Sequence, residues 1–132
     1  SPLAVGAADR EHAESHARAL IDELGWRVHA KNPAAELLVQ ALAALHWLGH
    51  ETFADQLRAY ADAAQAAARA DFAAMRGDPG ADEEAVVEHA VVGTVLGDVL
   101  LAALRRLAQE QLSAQVYGCG ADSHGSSEES AG

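Results

Sequence analysis

The sequence predicts an all-α protein: an antiparallel four-helix bundle, oligomeric, followed by a flexible C-terminal tail. Three observations point there. Half of the 132 residues are apolar while only 5% are aromatic, and alanine, the best helix former, dominates that apolar fraction. Apolar residues recur at three- and four-residue steps over long segments, the period of one helical face. Proline occurs three times: Pro2 is near the terminus, and Pro33 and Pro79 fall at breaks between segments. Alanine covers little area per side chain, so the expected core consists of closely approaching helices.

The first segment runs from about Asp9 to Val28, with Ala13, Ala17, Leu20, Ile21, Leu24 and Val28 on one stripe. Asp9, Glu11 and Glu14 lie in its early turns, where negative charge suits the helix dipole. Asn32 can cap the next helix and Pro33 suits its first turn. That second segment, PAAELLVQALAALHWLGH, is apolar nearly all round, a pattern expected of a central helix. Its stripe is best described by Leu38, Ala41, Leu45 and Leu48, with His46 and His50 roughly opposite. Gly49 weakens its end. The third segment, Glu51 to Met75, carries Phe53, Leu57, Tyr60, Ala64, Ala68, Phe72 and Met75 on one face. Arg76 to Asp82 (RGDPGAD) reads as a loop, because Gly77, Pro79 and Gly80 all oppose helix.

The fourth segment, about Glu83 to Val116, is apolar on every face from Val91 to Leu104 and reads as a buried core helix. The spacing of Gly93 and Gly97 makes them candidates for close helix–helix approach at an interface. From 118 to 132 the chain becomes GCGADSHGSSEESAG, a low-complexity acidic tail without the apolar residues that offset the entropy of ordering. The domain organisation is therefore a helical bundle at 1–117 and a tail at 118–132. Two all-round apolar segments exceed what an isolated four-helix bundle buries, so oligomerisation through segments two and four is expected.

Charge and cysteine content narrow the function classes. A formal charge of −11 opposes nucleic-acid binding by phosphate neutralisation. Cys119 stands alone, which excludes an internal disulfide and a thiolate zinc cluster and favours a reducing, cytoplasmic setting. The beginning of the sequence shows no basic region followed by an apolar run, so it does not read as a signal peptide. The stretch AVVGTVLGDVLLAAL is short for a bilayer and carries Asp98, so no membrane span is expected.

Seven histidines supply the candidate chemistry. His12 and His16 are four apart on the first helix, as are His46 and His50 on the second, and i,i+4 spacing sets two imidazoles on one face. Glu84 and Glu88 form a similar carboxylate pair on the fourth helix, with His89 adjacent. Histidines and carboxylates on facing helices hold iron, zinc or nickel in bundle proteins, which makes a transition metal the candidate cofactor. The patterns of hemerythrin-like and ferritin-like bundles are absent, since Glu84 to His89 is a step of five and Glu88 to His89 a step of one. Satisfied structural histidines are the competing reading. Asp98 is the buried polar candidate: a carboxylate amid apolar residues needs a partner such as Arg105 or Arg106 of a neighbouring chain, a histidine, or a ligand.

Two local resemblances stand out. The phrase LGDVLLAALRRLA resembles the third helix of the all-α nucleoside triphosphate pyrophosphohydrolases, which implies an acidic pair binding magnesium. Val95 stands where that family has its glutamate, and no Glu-Glu-x-x-Glu run precedes it, so the magnesium site does not assemble. Trp47-Leu48-Gly49 is similar to the Trp-x-Gly turn of the helical-hairpin proteins of type VII secretion. Here Pro33 interrupts what would be one continuous helix. Trp47 is read instead as a core or interface aromatic. No nucleophile constellation, phosphate loop or dinucleotide fingerprint is present. The expected function is non-enzymatic association, with itself or with a protein partner in a larger complex. The alternative is a histidine/carboxylate metal-binding bundle of di-iron, zinc or nickel type.

Overall fold

A computed structural model describes residues 5–76 and 82–118 of the chain. All regular structure among them is helical: α1 (Ala7–Leu24), α2 (Pro33–Leu48), a short α3 (Glu51–Asp55), α4 (Leu57–Arg76) and α5 (Glu83–Tyr117). The breakers Gly77, Pro79 and Gly80, the lone Cys119 and the tail beyond Gly118 lie outside the described residues. The chain divides into two compact units, Ser1–Ala66 and Ala67–Gly132.

In the first unit each helix boundary has a local cause. α1 ends at Gly25, whose φ of +69° is left-handed; Trp26 N–H then donates to the Ile21 carbonyl at 3.2 Å, satisfying a carbonyl of the last turn. Val28 thus falls beyond α1, four residues short of the expected end. Asn32 caps α2 as expected, its side chain accepting from Ala34 N–H at 2.8 Å, with Pro33 in the first turn. Gly49, at φ +77°, repeats the left-handed stop, with His50 N–H donating to the Leu45 carbonyl at 2.9 Å. The expected third helix is in fact two, α3 and α4, separated at Gln56.

The core of this unit is built from small residues. Ala13, Ala17, Val39, Leu42 and Ala43 form its buried cluster, covered by Val5, Leu38, Ala54 and Leu57. Leu20 and Ala61 are buried as well. Along α2 the inward stripe is Val39, Leu42 and Ala43, shifted from the Leu38/Ala41/Leu45/Leu48 face read from sequence. His46 continues that inward stripe at the i+3 and i+4 steps rather than opposing it. Leu37, Trp47 and Leu48 are 45–66% exposed, so α2 is covered on one side only and Trp47 is not a core aromatic. The stripe expected on the third segment also shifts: Phe53, Tyr60 and Phe72 are exposed, and the buried residue of α4 is Ala61.

In the second unit α5 runs for 35 residues, about 52 Å of helix. Asp82 caps it, accepting from Ala85 N–H at 2.8 Å. None of its residues is buried; its thirteen valines and leucines are 42–67% exposed. This corrects the reading of the fourth segment as a buried core helix. Asp98 is exposed, so it is not the buried carboxylate expected from its apolar surroundings. A Cβ on Gly93 would meet nothing within 4 Å, and one on Gly97 only the Asp71 carboxylate at 3.8 Å, so among the described residues no second backbone approaches either glycine.

Candidate functional site

The most concentrated chemistry lies in the first unit, where the start of α1 meets the end of α2. Asp9 occupies the third position of α1. One carboxylate oxygen accepts Gly6 N–H at 3.1 Å, satisfying an orphan donor of the helix start. The other oxygen lies 2.6 Å from His46 Nδ1. With the proton on Nδ1, His46 donates to Asp9 and turns Nε2 outward. This bond is the main reason the Asp9 carboxyl is held below its ordinary value, against an opposing desolvation.

The Gly49 stop then folds the chain back so that Glu51, at the start of α3, comes within 3.3 Å of His46 Nε2. His46 therefore has a carboxylate at each ring nitrogen. From α1, the His12 ring stacks on the His46 ring, with centroids 4.2 Å apart and planes at 29°. His12, His46 and Glu51 each offer a donor atom within 4.8 Å of the others. Exposure rises outward: Asp9 is 19% exposed, His46 31% and Glu51 60%. An open groove of about 430 Å³ flanks the cluster, lined by His12, Ser15, His16, Glu51, Ala54 and Asp55.

Chemically, this arrangement can hold His46 as an imidazolium between two carboxylates, or as a neutral ring whose outer nitrogen ligates a metal. Of the residues singled out in the sequence, the structure brings His12 and His46 together, across two helices rather than along one. His16 lies edge-on to His12 with centroids 6.5 Å apart, outside the three-ligand group. His50 packs edge-on toward Phe53 at 6.3 Å. Glu84, Glu88 and His89 are exposed on α5 and belong to no three-ligand group among the described residues. Asp9 and Glu51 were missed as site residues. Asp9 reads locally as a dipole-complementing carboxylate and Glu51 as a helix opener, and both perform those local roles as well.

A second polar link pins α1 to α2. Arg10 grips Glu36 with both terminal guanidinium nitrogens, at 2.7 and 2.8 Å, and bonds Glu14 at 2.8 Å. These bonds raise the Arg10 pKa and lower that of Glu36. Adjacent residues Asp9 and Arg10 thus fix the register of α1 on α2, which sets the distance from His12 to His46.

Comparison with protein-family models, with curated proteins and with solved structures finds no match.

Proposed function

We propose that this protein is a non-enzymatic helical assembly protein that pairs with a second copy of itself through α5. The observation that carries the reading is the exposure of α5: thirteen valines and leucines over 35 residues, none buried. A continuous surface of that kind exceeds the few hundred Å² that soluble monomers usually leave uncovered.

The pattern along α5 supports a self-pairing seam. Val86, Gly93, Leu100 and Leu107 recur every seven residues, with Leu96, Gly97, Ala103 and Leu104 in the intervening turns. At 100° per residue Asp98 falls on the far side of the helix from Leu100 and Gly93. Charge selects the orientation. Antiparallel pairing centred on Val95 sets Gly93 opposite Gly97 of the second copy and Val86 opposite Leu104, and it brings the Glu83/Glu84 start of α5 to the end of the second copy's helix that carries Arg106. Parallel pairing would instead gather the acidic starts of both helices at one end of the seam. The facing glycines allow close backbone approach at the centre of the seam.

α5 also contains an 18-residue window of mean hydropathy 1.7, long and apolar enough to cross a membrane by length and composition. Lipid offers nothing to the acid-to-base order of its charges, and a carboxylate such as Asp98 near a bilayer centre costs about 2.5–3.5 kcal/mol. A second copy of α5 matches both the seam and the charges.

Light scattering coupled to size exclusion tests the reading, and a dimer mass is expected. Val86→Glu and Leu104→Lys should each weaken the dimer, and combining them should recover part of it, because the two positions face each other across the antiparallel seam. A monomeric mass at micromolar concentration overturns self-pairing. Flotation of that monomer with phosphatidylcholine vesicles would replace it with a membrane surface.

A further inference from the structure

We propose that His12, His46 and Glu51 form a binding site for one divalent zinc-type transition ion, with Asp9 as the residue that orients His46. The site lies wholly within the first unit and is independent of self-pairing by α5.

The donor geometry is the first argument. Two atoms each about 2.0–2.1 Å from one zinc at the tetrahedral angle lie about 3.3–3.4 Å apart. His46 Nε2 and Glu51 Oε1 already stand at 3.3 Å. His12 is exposed at the edge of the groove with its donor within 4.8 Å of the other two, and because its ring stacks on His46, a side-chain rotation that lifts it off that stack closes the set.

The second argument is the orientation of His46. Metal-bound histidines usually donate their other ring N–H to a carboxylate or carbonyl, which fixes the tautomer and raises the basicity of the ligating nitrogen. The 2.6 Å contact of His46 Nδ1 with Asp9 does this. Asp9 is itself fixed by Gly6 N–H at 3.1 Å, so the ring is held before any ion arrives.

The third argument is chemical class. Two imidazoles and one carboxylate suit zinc, nickel, cobalt or copper, whereas magnesium and calcium require oxygen ligands. Three protein donors leave a fourth position, and the groove along His16, Ser15 and Asp55 opens it to water or to an exogenous ligand.

The test is a calorimetric titration of the full chain with Zn²⁺ in excess Mg²⁺, which suppresses loose binding to the many exposed carboxylates. Co²⁺ serves as the spectroscopic probe. One equivalent per chain is expected, with Co²⁺ giving the visible absorption of a four-coordinate site. His12→Ala, His46→Ala and Glu51→Gln should each weaken Zn²⁺ at least tenfold. Asp9→Asn, which touches no metal, should weaken it by roughly tenfold. His50→Ala should bind within twofold of the parent. Circular dichroism reports whether each variant keeps its helices; a variant that loses them is replaced by His12→Gln or His46→Gln, for which the same loss is expected. Binding abolished by Mg²⁺, binding indifferent to His12 and Glu51 in helical variants, or an equal loss in His50→Ala overturns the proposal.

Discussion

In residues 1–66 the buried side chains are mostly alanines: Ala13, Ala17, Ala43 and Ala61, with Val39, Leu20 and Leu42 beside them. In residues 67–132 the apolar side chains are larger, and no described residue there is buried. The helix with the most valines and leucines is the uncovered one. Burial follows from a complementary neighbour at close range, not from the hydrophobicity of a segment. Alanines on α1 and α2 let the two helices approach until a few methyl groups and one leucine close a core. The valines and leucines of α5 keep about half their surface, and the unit that contains them has no such contact among its described residues.

The same substitution made in each unit tests this contrast most severely. Leu42 is 4% exposed within the buried cluster, so Leu42→Ala should lower the stability of the first unit by about 2–4 kcal/mol, the transfer loss plus a cavity among residues too small to fill it. Leu100, 62% exposed, should behave differently. Leu100→Ala, measured by urea unfolding at a concentration where the chain is monomeric, should change stability by less than about 0.5 kcal/mol. Equal losses at the two positions would show that α5 is covered in solution and would erase the contrast.

Next in size is the effect of a charge on the seam. Leu100→Glu places a carboxylate where two α5 helices would meet, opposite Ala90 of the second copy. The dimer should weaken at least about tenfold, equivalent to about 1.4 kcal/mol. The helical signal of the first unit should be unchanged. Sedimentation at several concentrations reads the association, and a parent-like dissociation constant would remove Leu100 from the interface.

Much of this organisation is legible in the sequence, because its signals are local. The Asn32-Pro33 pair, Gly49 and the loop residues before Glu83 each mark a boundary through backbone or capping chemistry of their own, whereas the apolar stripe carries past Gly25 to Val28 and hides the end of α1. The split at Gln56 is not legible, since ETFADQLRAY contains neither glycine nor proline. Burial is less legible still. Apolar stripes identify helices, but which side of α2 faces α1 depends on a register set by Asp9 with His46 and Arg10 with Glu36. The site shares that limit. His12 and His46 are visible as unusual residues, yet their association is long-range, and i,i+4 spacing suggests the wrong pairings. The Gly49 stop is the local feature that turns Glu51 back toward His46, and Gly49→Ala tests it. A Cβ at φ +77° costs about 1–2 kcal/mol, and an altered turn should carry Glu51 away from His46. The expected result is that small destabilisation together with weaker Zn²⁺ binding. Unaltered binding with the destabilisation would mean that Glu51 reaches the site without the glycine turn.

The smallest expected effect concerns the polar pin of the first unit. Arg10, then Gln40, hold the Glu36 carboxyl below its ordinary value of about 4.5. A carboxyl whose pKa is lowered by folding contributes stability that is present above the unfolded value and lost as pH falls through the folded one. The Arg10–Glu36 contribution should therefore be intact at pH 6 and fade below about pH 4.5. Both side chains are nearly half exposed, at 46% and 47%, so water and salt screen the pair and its worth is modest despite the two-point grip. Urea midpoints of the parent and Glu36→Gln, measured from pH 6 down to pH 3, give the check. The parent should be slightly more stable at pH 6, and the gap should narrow as the solution is acidified and shrink in 0.5 M salt at about pH 6. A gap that widens on acidification would contradict the sign of the shift. No gap at any pH would leave the register of α1 on α2 to Asp9, His46 and the alanine contacts alone.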